Sequence, residues 1–243
     1  MPAVNNTTSE RKMLRACCIL FDLDGTLYEC PEYSNRLEAE IVRFVSQRLR
    51  LDENEASVLL SQRRKELGTL TRTIHSLGID RNDFFRSMAE RIEPTLYIRR
   101  DSAVRSVIET LKERGFKTGL VSNSGRPLVR KILDAIGLEE SLFDVIVTST
   151  EAEPKPSRQP FLLAMKRIGC DVNEIAYVGD REETEIRPAK FLGLQTILLS
   201  RDKAIEDTCA DVVVRKLSEV PEVVMLLRPE DQDLIGLSTR DLI

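Results

Sequence analysis

The stretch Ala16-Cys-Cys-Ile-Leu-Phe-Asp-Leu-Asp-Gly-Thr26 joins an unbroken apolar run to two carboxylates and a glycine. A short apolar run that ends at turn-forming residues is typical of a strand buried on both faces of a parallel sheet. Asp22 and Asp24 follow at a spacing of two, and Gly25 predicts a sharp turn directly after them. We therefore predict a first strand over Ala16–Asp22 that carries two carboxylates at its carboxyl end.

The remainder of the chain repeats this pattern from residue 101 onward, where short apolar runs alternate with segments of helical periodicity. That alternation indicates βαβ units and a parallel sheet, and hence the α/β fold class. The further predicted strands are Phe116–Ser122, Phe143–Thr148, Ile175–Asp180, Thr196–Ser200 and Asp211–Val214. The predicted helices between them are Ser102–Arg114, Leu128–Ile136, Phe161–Ile168 and Glu183–Leu192.

Residues 28–100 interrupt the alternation, because no second βα unit follows the first strand directly. Apolar side chains recur there at helical spacing, which predicts an inserted helical bundle. Asp52 and Asp80 each provide a capping carboxylate three residues before another acid, so helices are expected to start near 53 and 81. The expected organisation is a flexible tail (1–15), an α/β core (16–27 and 101–228), a helical cap (28–100) and a C-terminal tail (229–243).

Composition excludes several classes of protein. The 243 residues carry a net charge of −4, which disfavours a general nucleic-acid binder. The longest apolar run, Ala16–Phe21, is far shorter than the roughly 20 residues of a membrane-spanning helix, and we expect no membrane association. One histidine and the absence of a G-x-x-x-x-G-K-[ST] loop exclude multi-histidine metal sites and that class of nucleotide site. Five cysteines without a C-x-x-C pair, and no apolar leader, fit reduced thiols in a cytoplasmic protein.

Three further polar elements each follow a predicted strand. Ser122 and Asn123 offer a hydroxyl and backbone N–H groups beside a helix start, which is a natural seat for phosphate. Lys155 stands between two prolines that stiffen its loop, and Asp180 follows the fourth predicted strand. Each element alone has an ordinary structural explanation: Ser122 with Asn123 as a helix cap, Lys155 as a solvated surface lysine, and Asp180 as a helix cap. Because the carboxyl ends of parallel strands meet at one sheet edge, we expect the side chains to converge there.

The chemistry of such a cluster follows from its charges. Three carboxylates at one edge repel one another unless a divalent cation lies among them or one of them holds a proton, and Mg²⁺ prefers such oxygen ligands. One aspartate can then attack phosphorus to give an aspartyl-phosphate, while a lysine and a serine hold the transferring oxygens. A second aspartate, two residues away, is placed to act as general acid and base.

At these residues the sequence resembles the haloacid dehalogenase-like hydrolase superfamily, over roughly residues 16 to 220. The resemblance implies a Rossmann-like, three-layer parallel-sheet core with an inserted α-helical cap. It makes Asp22 the nucleophile and Asp24 the acid and base, with Ser122 and Lys155 binding phosphate. It also implies Mg²⁺ held by the side chains of Asp22 and Asp180 and by the backbone carbonyl of Asp24.

The fourth motif departs from the family pattern G-D-S-x-x-x-D. Glu185 stands at the position of the second aspartate and is expected to support the metal, although Glu183 is a competing candidate. Arg181 replaces the serine, and nothing in the sequence explains it. Asp24 favours phosphate chemistry over carbon–halogen cleavage, because the dehalogenases lack an aspartate at this place.

The expected function is Mg²⁺-dependent hydrolysis of a small phosphorylated metabolite, such as a nucleotide, phosphoglycolate or a sugar phosphate. The Thr26-Leu-Tyr28, Gly68-Thr-Leu70 and Gly78-Ile79 segments look like the nucleotidase-like and phosphoglycolate phosphatase-like branches. A phosphomutase on the same scaffold and a non-catalytic binding protein are the alternatives. The sequence carries no signal for an oligomeric state.

Overall fold

The computed structural model describes residues 12–201 and 207–227. The strands there are β1 (Leu14–Ala16), β2 (Cys18–Phe21), β3 (Lys117–Ser122), β4 (Val145–Thr148), β5 (Ile175–Gly179), β6 (Gln195–Leu199), β7 (Val212–Val214) and β8 (Val224–Leu226). The helices are α1 (Pro31–Leu49), α2 (Glu53–Leu67), α3 (Leu70–Ser76), α4 (Arg81–Arg91), α5 (Ser102–Glu113), α6 (Arg126–Ile136), α7 (Gln159–Ile168), α8 (Arg187–Phe191) and α9 (Val220–Val223). Residues 1–11 of the expected N-terminal tail and all of the expected C-terminal tail, 229–243, lie outside the described residues.

Six strands form one parallel sheet in the order β4-β3-β2-β5-β6-β7. The chain leaves β2 toward β3 and β4 on one side and later returns to β5, β6 and β7 on the other. The strand order therefore reverses next to β2, and ligands bind at the carboxyl ends of strands at such a point. The α/β class and the Rossmann-like parallel sheet predicted from the sequence are confirmed.

Alternation along β2 explains why this strand lies at the centre of the sheet. Ile19 and Phe21 face one apolar cluster with α5 and α6, whereas Cys18 and Leu20 face a second cluster with α7. Because successive side chains on a strand point to opposite faces of the sheet, an unbroken apolar run packs against the helices on both faces. All four residues are fully buried.

Four helices occupy the insertion after β2, and α1, α2, α3 and α4 pack around an apolar cluster of their own. Both expected helix starts are present. Asp52 accepts a hydrogen bond from Glu55 N and forms a complete capping box, and Asp80 accepts from the N–H groups of residues 82 and 83. Phe85 of α4 packs against the backbone of the core at Gly125, where an added Cβ would collide with its ring.

Two local features differ from the sequence expectation. Leu14 and Arg15, assigned to the tail, form β1, which pairs in parallel with β8 and buries Leu14. A strand of three residues is too short to show a periodic pattern of apolar side chains, so the sequence does not distinguish it from a polar tail. The predicted helix Glu183–Leu192 is instead a π-helical turn, Glu182–Ile186, followed by α8. In the described part of the chain, no helix combines the length and apolar character needed to cross a membrane.

Gly119 provides a test of the sheet that holds the site. Its place in β3 lies between Leu20 of β2 and Val145 of β4, and an added Cβ would lie 2.5 Å from Leu20 Cδ2 and 2.6 Å from Val145 Cγ1. We expect Gly119→Val to lower the free energy of unfolding by about 3 kcal/mol, because the side chain overpacks the core. Urea unfolding followed by circular dichroism measures the loss.

The control for this substitution is Val213→Thr, at a partly exposed position of β7. It is expected to change the free energy of unfolding by no more than about 0.5 kcal/mol. A Gly119→Val protein with the stability of the parent chain would contradict the close approach of the three strands.

Candidate active site

Asp22 begins the loop at the carboxyl end of β2, and the sheet itself fixes its backbone. Its N–H donates to Val178 O of β5 at 2.9 Å, so the ladder of the central strands continues into the first residue of the loop. Asp22 is 3% exposed, which is unusual for an aspartate and is tolerated where charged partners compensate. The position agrees with the sequence expectation that Asp22 stands at the sheet edge.

Gly25 turns the loop back over the site. Its φ of 93° lies in the left-handed region that glycine adopts without strain. A side chain would also be excluded by space, because an added Cβ would lie 2.7 Å from Asp180 Cγ. The backbone is closed by hydrogen bonds from Gly25 N to Tyr28 O and from Leu27 N to Leu23 O. The glycine therefore lets the β2 loop and the β5 loop approach each other closely.

Asp24 is half-buried and accepts hydrogen bonds from three hydroxyl groups. Tyr28 donates to Oδ1 from the same loop, and Ser124 donates to Oδ2 at 3.0 Å. Ser122 Oγ lies 3.4 Å from the same Oδ2 and also accepts from Ser124 N at 3.0 Å. The hydroxyl network orients the Asp24 carboxyl group beside Ser122 at the edge of the sheet.

Lys155 is buried among the acids. Its Nζ donates to Asp22 Oδ1, to Tyr177 Oη at 2.8 Å and to Glu185 Oε1 at 3.0 Å. Only 1% of the side chain is exposed. The three acceptors use all three protons of the ammonium group, which is the condition under which a buried lysine remains charged. The Asp22 and Glu185 carboxylates raise the pKa of Lys155 against the opposing effect of burial.

Asn123 holds the loop that presents Lys155. The side-chain Nδ2 donates to Lys155 O at 2.9 Å, and Oδ1 accepts from Lys155 N at 2.7 Å. The amide thus mimics a strand partner for one residue of the Lys155 loop. Asn123 was expected to offer its backbone N–H to phosphate, and this stays a prediction; both ends of its side-chain amide are occupied by the backbone of Lys155.

Asp180 and Glu185 complete the acidic cluster. Glu185 is 4% exposed; its Oε2 accepts from the N–H groups of Asp180 and Arg181 at 3.2 and 3.3 Å. The π-helical turn brings Glu185 back over Gly179 and onto Lys155. Glu183 is on the outside, with 75% of its side chain exposed and an ion pair to Arg187 at 3.1 Å. Of the two competing glutamates, Glu185 is the one in the cluster.

The cluster fits a divalent cation. One carboxylate oxygen from each of Asp22, Asp180 and Glu185 lies within 4.8 Å of the others. Asp22 Oδ2 and Asp180 Oδ1 are buried without a hydrogen-bond partner, although buried polar atoms normally have one. Burial and the Glu185 charge raise the pKa of Asp22, and burial and the Asp22 charge raise that of Asp180. Two unpartnered oxygens in an excess of negative charge are a donor set suited to Mg²⁺.

Three residues at the site carried no signal in the sequence. Tyr177 contacts the Lys155 ammonium from within β5. In the sequence it is indistinguishable from an aromatic residue of the apolar core. Ser124 binds Asp24, yet it lies in a polar stretch typical of a helix start. Arg201, after β6, donates to Gly25 O and to Thr26 O, the second at 2.9 Å, and braces the turn after Asp24. Only their placement in three dimensions distinguishes them from other polar residues.

Comparison with known proteins agrees with this geometry. The chain is 26% identical over 230 residues to a glyceraldehyde 3-phosphate phosphatase of Methanocaldococcus jannaschii, covering 87% of this chain and 98% of the relative. It is 25% identical over 249 residues to a phosphoglycolate phosphatase of Shigella boydii, covering 88% and 95%. The crystal structure of a HAD phosphatase from Thermococcus onnurineus has the same fold, with a TM-score of 0.66, 23% identity and coverage of 86% and 97%.

The family resemblance inferred from the motifs is confirmed over residues 19–199. The sequence model of the haloacid dehalogenase-like hydrolases matches residues 19–199, a span that begins in β2, includes the four inserted helices and ends in β6. The match contains all four strand-end elements, from Asp22 to Glu185. The chain therefore belongs to the haloacid dehalogenase-like hydrolase family.

Proposed function

We propose that this protein is a Mg²⁺-dependent phosphatase that hydrolyses a small phosphomonoester through an aspartyl-phosphate on Asp22. The observation that carries the proposal is the environment of the Asp22 carboxyl group. One oxygen contacts the Lys155 ammonium, and the other is buried without a partner beside the Asp180 carboxylate. A carboxylate held in this way is fixed in one orientation and is shielded from water, which favours its use as a nucleophile.

The metal is proposed to lie among the side chains of Asp22 and Asp180 and the backbone carbonyl of Asp24, with Glu185 supporting it. When bound, Mg²⁺ supplies positive charge that lessens the repulsion between an anionic nucleophile and an anionic phosphate. The three carboxylates face the Lys155 ammonium and, 3.9 Å from Asp180 Oδ2, the Arg181 guanidinium, yet Asp22 Oδ2 and Asp180 Oδ1 keep no hydrogen-bond partner, so the residues themselves favour a divalent partner.

Asp22 attacks phosphorus in the proposed first step, and the alcohol oxygen of the substrate leaves. Asp24 is placed two residues on, with a half-buried carboxyl group oriented by Tyr28 and Ser124. It donates a proton to the leaving oxygen and later accepts one from the water that hydrolyses the aspartyl-phosphate. Lys155, the Ser122 hydroxyl and the backbone N–H of Asn123 are proposed to hold the transferring oxygens, with a phosphate oxygen replacing one of the three acceptors of the Lys155 ammonium.

The inserted helices are proposed to act as a cap, spanning residues 28–100, that admits the substrate and excludes water during the first step. Phe85 packs on Gly125, directly after the Ser122–Ser124 segment of the site. Arg81 reaches the core loop on the other side, with Nη1 3.4 Å from Ala152 O and from Glu153 Oε1. Both contacts join the insertion to loops that carry proposed phosphate-binding residues.

The substrate is proposed to be a small phosphorylated metabolite. Two relatives of nearly full length bear the names of phosphatases for glyceraldehyde 3-phosphate and phosphoglycolate, which are both compounds of two or three carbons. Nucleoside monophosphates and sugar phosphates are also phosphomonoesters, and they are included in the substrate panel described below.

Asp22→Asn tests the nucleophile. The change keeps the shape of the side chain but removes the attacking charge, so we expect kcat to fall by at least about 10³-fold. Phosphate release from an aryl phosphate under saturating Mg²⁺ measures the loss. Asp83→Asn, an exposed acid of α4, is the control and keeps the parent rate. Circular dichroism confirms that both proteins are folded, and an active Asp22→Asn protein would rule out the proposed nucleophile.

Glu185→Gln and Glu183→Gln form a matched pair that tests the metal cluster. Loss of the buried Glu185 charge is expected to raise the Mg²⁺ concentration for half-maximal activity by about 10- to 100-fold. Glu183→Gln is expected to leave it unchanged, because that side chain points to solvent. Equal effects of the two substitutions would contradict the assignment of Glu185 to the cluster.

A substrate panel tests the activity itself. Phosphoglycolate, glyceraldehyde 3-phosphate, nucleoside monophosphates, sugar phosphates and an aryl phosphate are each incubated with Mg²⁺ or with a chelator. We expect phosphate release that the chelator abolishes and added Mg²⁺ restores. Release that persists in the chelator would refute the metal dependence. Conversion between sugar phosphate isomers without release of free phosphate would identify the protein as a phosphomutase. Binding of a phosphorylated compound without any turnover would identify it as a non-catalytic binding protein.

A further inference from the structure

The guanidinium group of Arg181 lies at the rim of the acidic cluster. Arg181 directly follows Asp180 in the chain, and its Nε is 3.9 Å from Asp180 Oδ2. Among the acids that the structure describes, only Asp180 forms an ion pair with this guanidinium. The family pattern has a serine at this position, so the pattern itself does not account for a positive charge beside a proposed metal ligand.

The backbone of Arg181 is fixed, whereas its side chain is largely exposed. The N–H donates to Glu185 Oε2 at 3.3 Å, and the carbonyl oxygen accepts from Glu185 N at 3.2 Å and from Ile186 N at 3.1 Å. By contrast, 64% of the side chain is exposed, and 3.9 Å is too long for a hydrogen bond to Asp180. Arg181 therefore keeps its place beside the cluster, while its guanidinium is free to turn from Asp180 into solvent.

The two cations of the site are divided among its three acids. Lys155 contacts Asp22 and Glu185, and Arg181 faces Asp180. The two oxygens of Asp180 differ, because Oδ2 faces Arg181 whereas Oδ1 is buried without a hydrogen-bond partner. Burial and the Asp22 charge raise the pKa of Asp180, and the Arg181 charge opposes them. Arg181 is thus the positive charge that stabilises the Asp180 carboxylate.

We propose that Arg181 is an internal counter-charge that competes with the divalent cation for Asp180 and thereby sets the Mg²⁺ concentration at which the site is occupied. In the metal-free protein, the guanidinium offsets the negative charge of Asp180. A cation that binds the same carboxylate is repelled by the guanidinium, because like charges a few ångströms apart oppose each other even in water. Metal binding must therefore also displace or weaken the ion pair between Arg181 and Asp180.

The size of the effect follows from the charges and from their exposure. Mg²⁺ carries two charges, but solvent and salt screen the exposed guanidinium of Arg181, so we expect a change of about tenfold in the dissociation constant. This inference rests on the metal site of the proposed function. It concerns the affinity of that site for the ion, which is measured without any substrate, and it assigns Arg181 no part in the chemical step.

Calorimetric titration of the metal-free, full-length protein with Mg²⁺ tests the proposal. Arg181→Gln removes the charge, and its dissociation constant for Mg²⁺ is expected to be about tenfold lower than that of the parent chain. Arg181→Lys keeps the charge and is expected to bind Mg²⁺ as the parent chain does. Arg187→Gln is the matched control, because this exposed arginine of the same segment pairs with Glu183 at 3.1 Å, outside the cluster. Its dissociation constant is expected to equal that of the parent chain.

Thermal unfolding gives a second readout that does not depend on activity. Each protein is melted in a chelator, which confirms that it is folded, and again with Mg²⁺ well above its dissociation constant. A tenfold lower dissociation constant predicts that Mg²⁺ raises the melting temperature of Arg181→Gln by about 3 °C more than that of the parent chain. Arg187→Gln is expected to show the same rise as the parent chain.

The outcomes separate the role of Arg181 from the proposed function. Equal dissociation constants for the parent chain and Arg181→Gln would overturn the role of Arg181 and leave the metal site in place. Equally tight binding by Arg181→Lys and Arg181→Gln would show that the charge is not the cause, and would overturn it as well. If none of these proteins binds Mg²⁺, the metal site itself is wrong, and the proposed Mg²⁺ dependence fails together with the role of Arg181.

Discussion

The ion pair between the Lys155 ammonium and the Asp22 carboxylate is the interaction on which the site depends. Moving either charge alone into the interior costs several kcal/mol, and removal of one partner leaves the other uncompensated. The chain meets this cost with further acceptors for the same ammonium, Glu185 and the Tyr177 hydroxyl. Each acceptor comes from the β5 region, whereas Asp22 comes from β2, so the buried lysine joins two neighbouring strand ends.

The buried ion pair also requires that the surrounding backbone is held in place. A lysine loop that must stay in place needs its own anchor, and the Asn123 amide supplies it by pairing with both backbone groups of Lys155. The turn after Asp24 must let Asp180 approach, which only a glycine at position 25 permits, and Arg201 holds the carbonyls of that turn. Only a few side-chain atoms take part in the phosphate chemistry. Their positions, however, are fixed by contacts from the segments that follow five strands.

The sequence predicted the layout of the core because its signals are local. Continuous apolar runs such as Ile19–Phe21 predict strands that are buried on both faces of a parallel sheet. The acids that follow these strands must then lie together at the carboxyl edge of that sheet. The contact of Tyr177 with the Lys155 ammonium and the pairing of the Asn123 side chain with the Lys155 backbone could not be predicted in this way, because both depend on a residue from another element. The π-helical turn at Glu182–Ile186 was also missed, since its residues have ordinary helical propensity and only the burial of Glu185 onto Lys155 distinguishes it.

The central strand connects two chemically different edges of the sheet. At its carboxyl end, β2 leads into Asp22, which faces a lysine and two acids, and at its amino end it begins with the buried Cys18. A strand buried on both faces has no solvent-facing side chains, so polar groups can be added only where the strand begins or ends. The charged groups of the site therefore lie at strand ends, and Tyr177 reaches the Lys155 ammonium from within β5. The carboxyl edge brings together the carboxylates of Asp22, Asp180 and Glu185, and this concentration of negative charge favours the binding of a divalent cation.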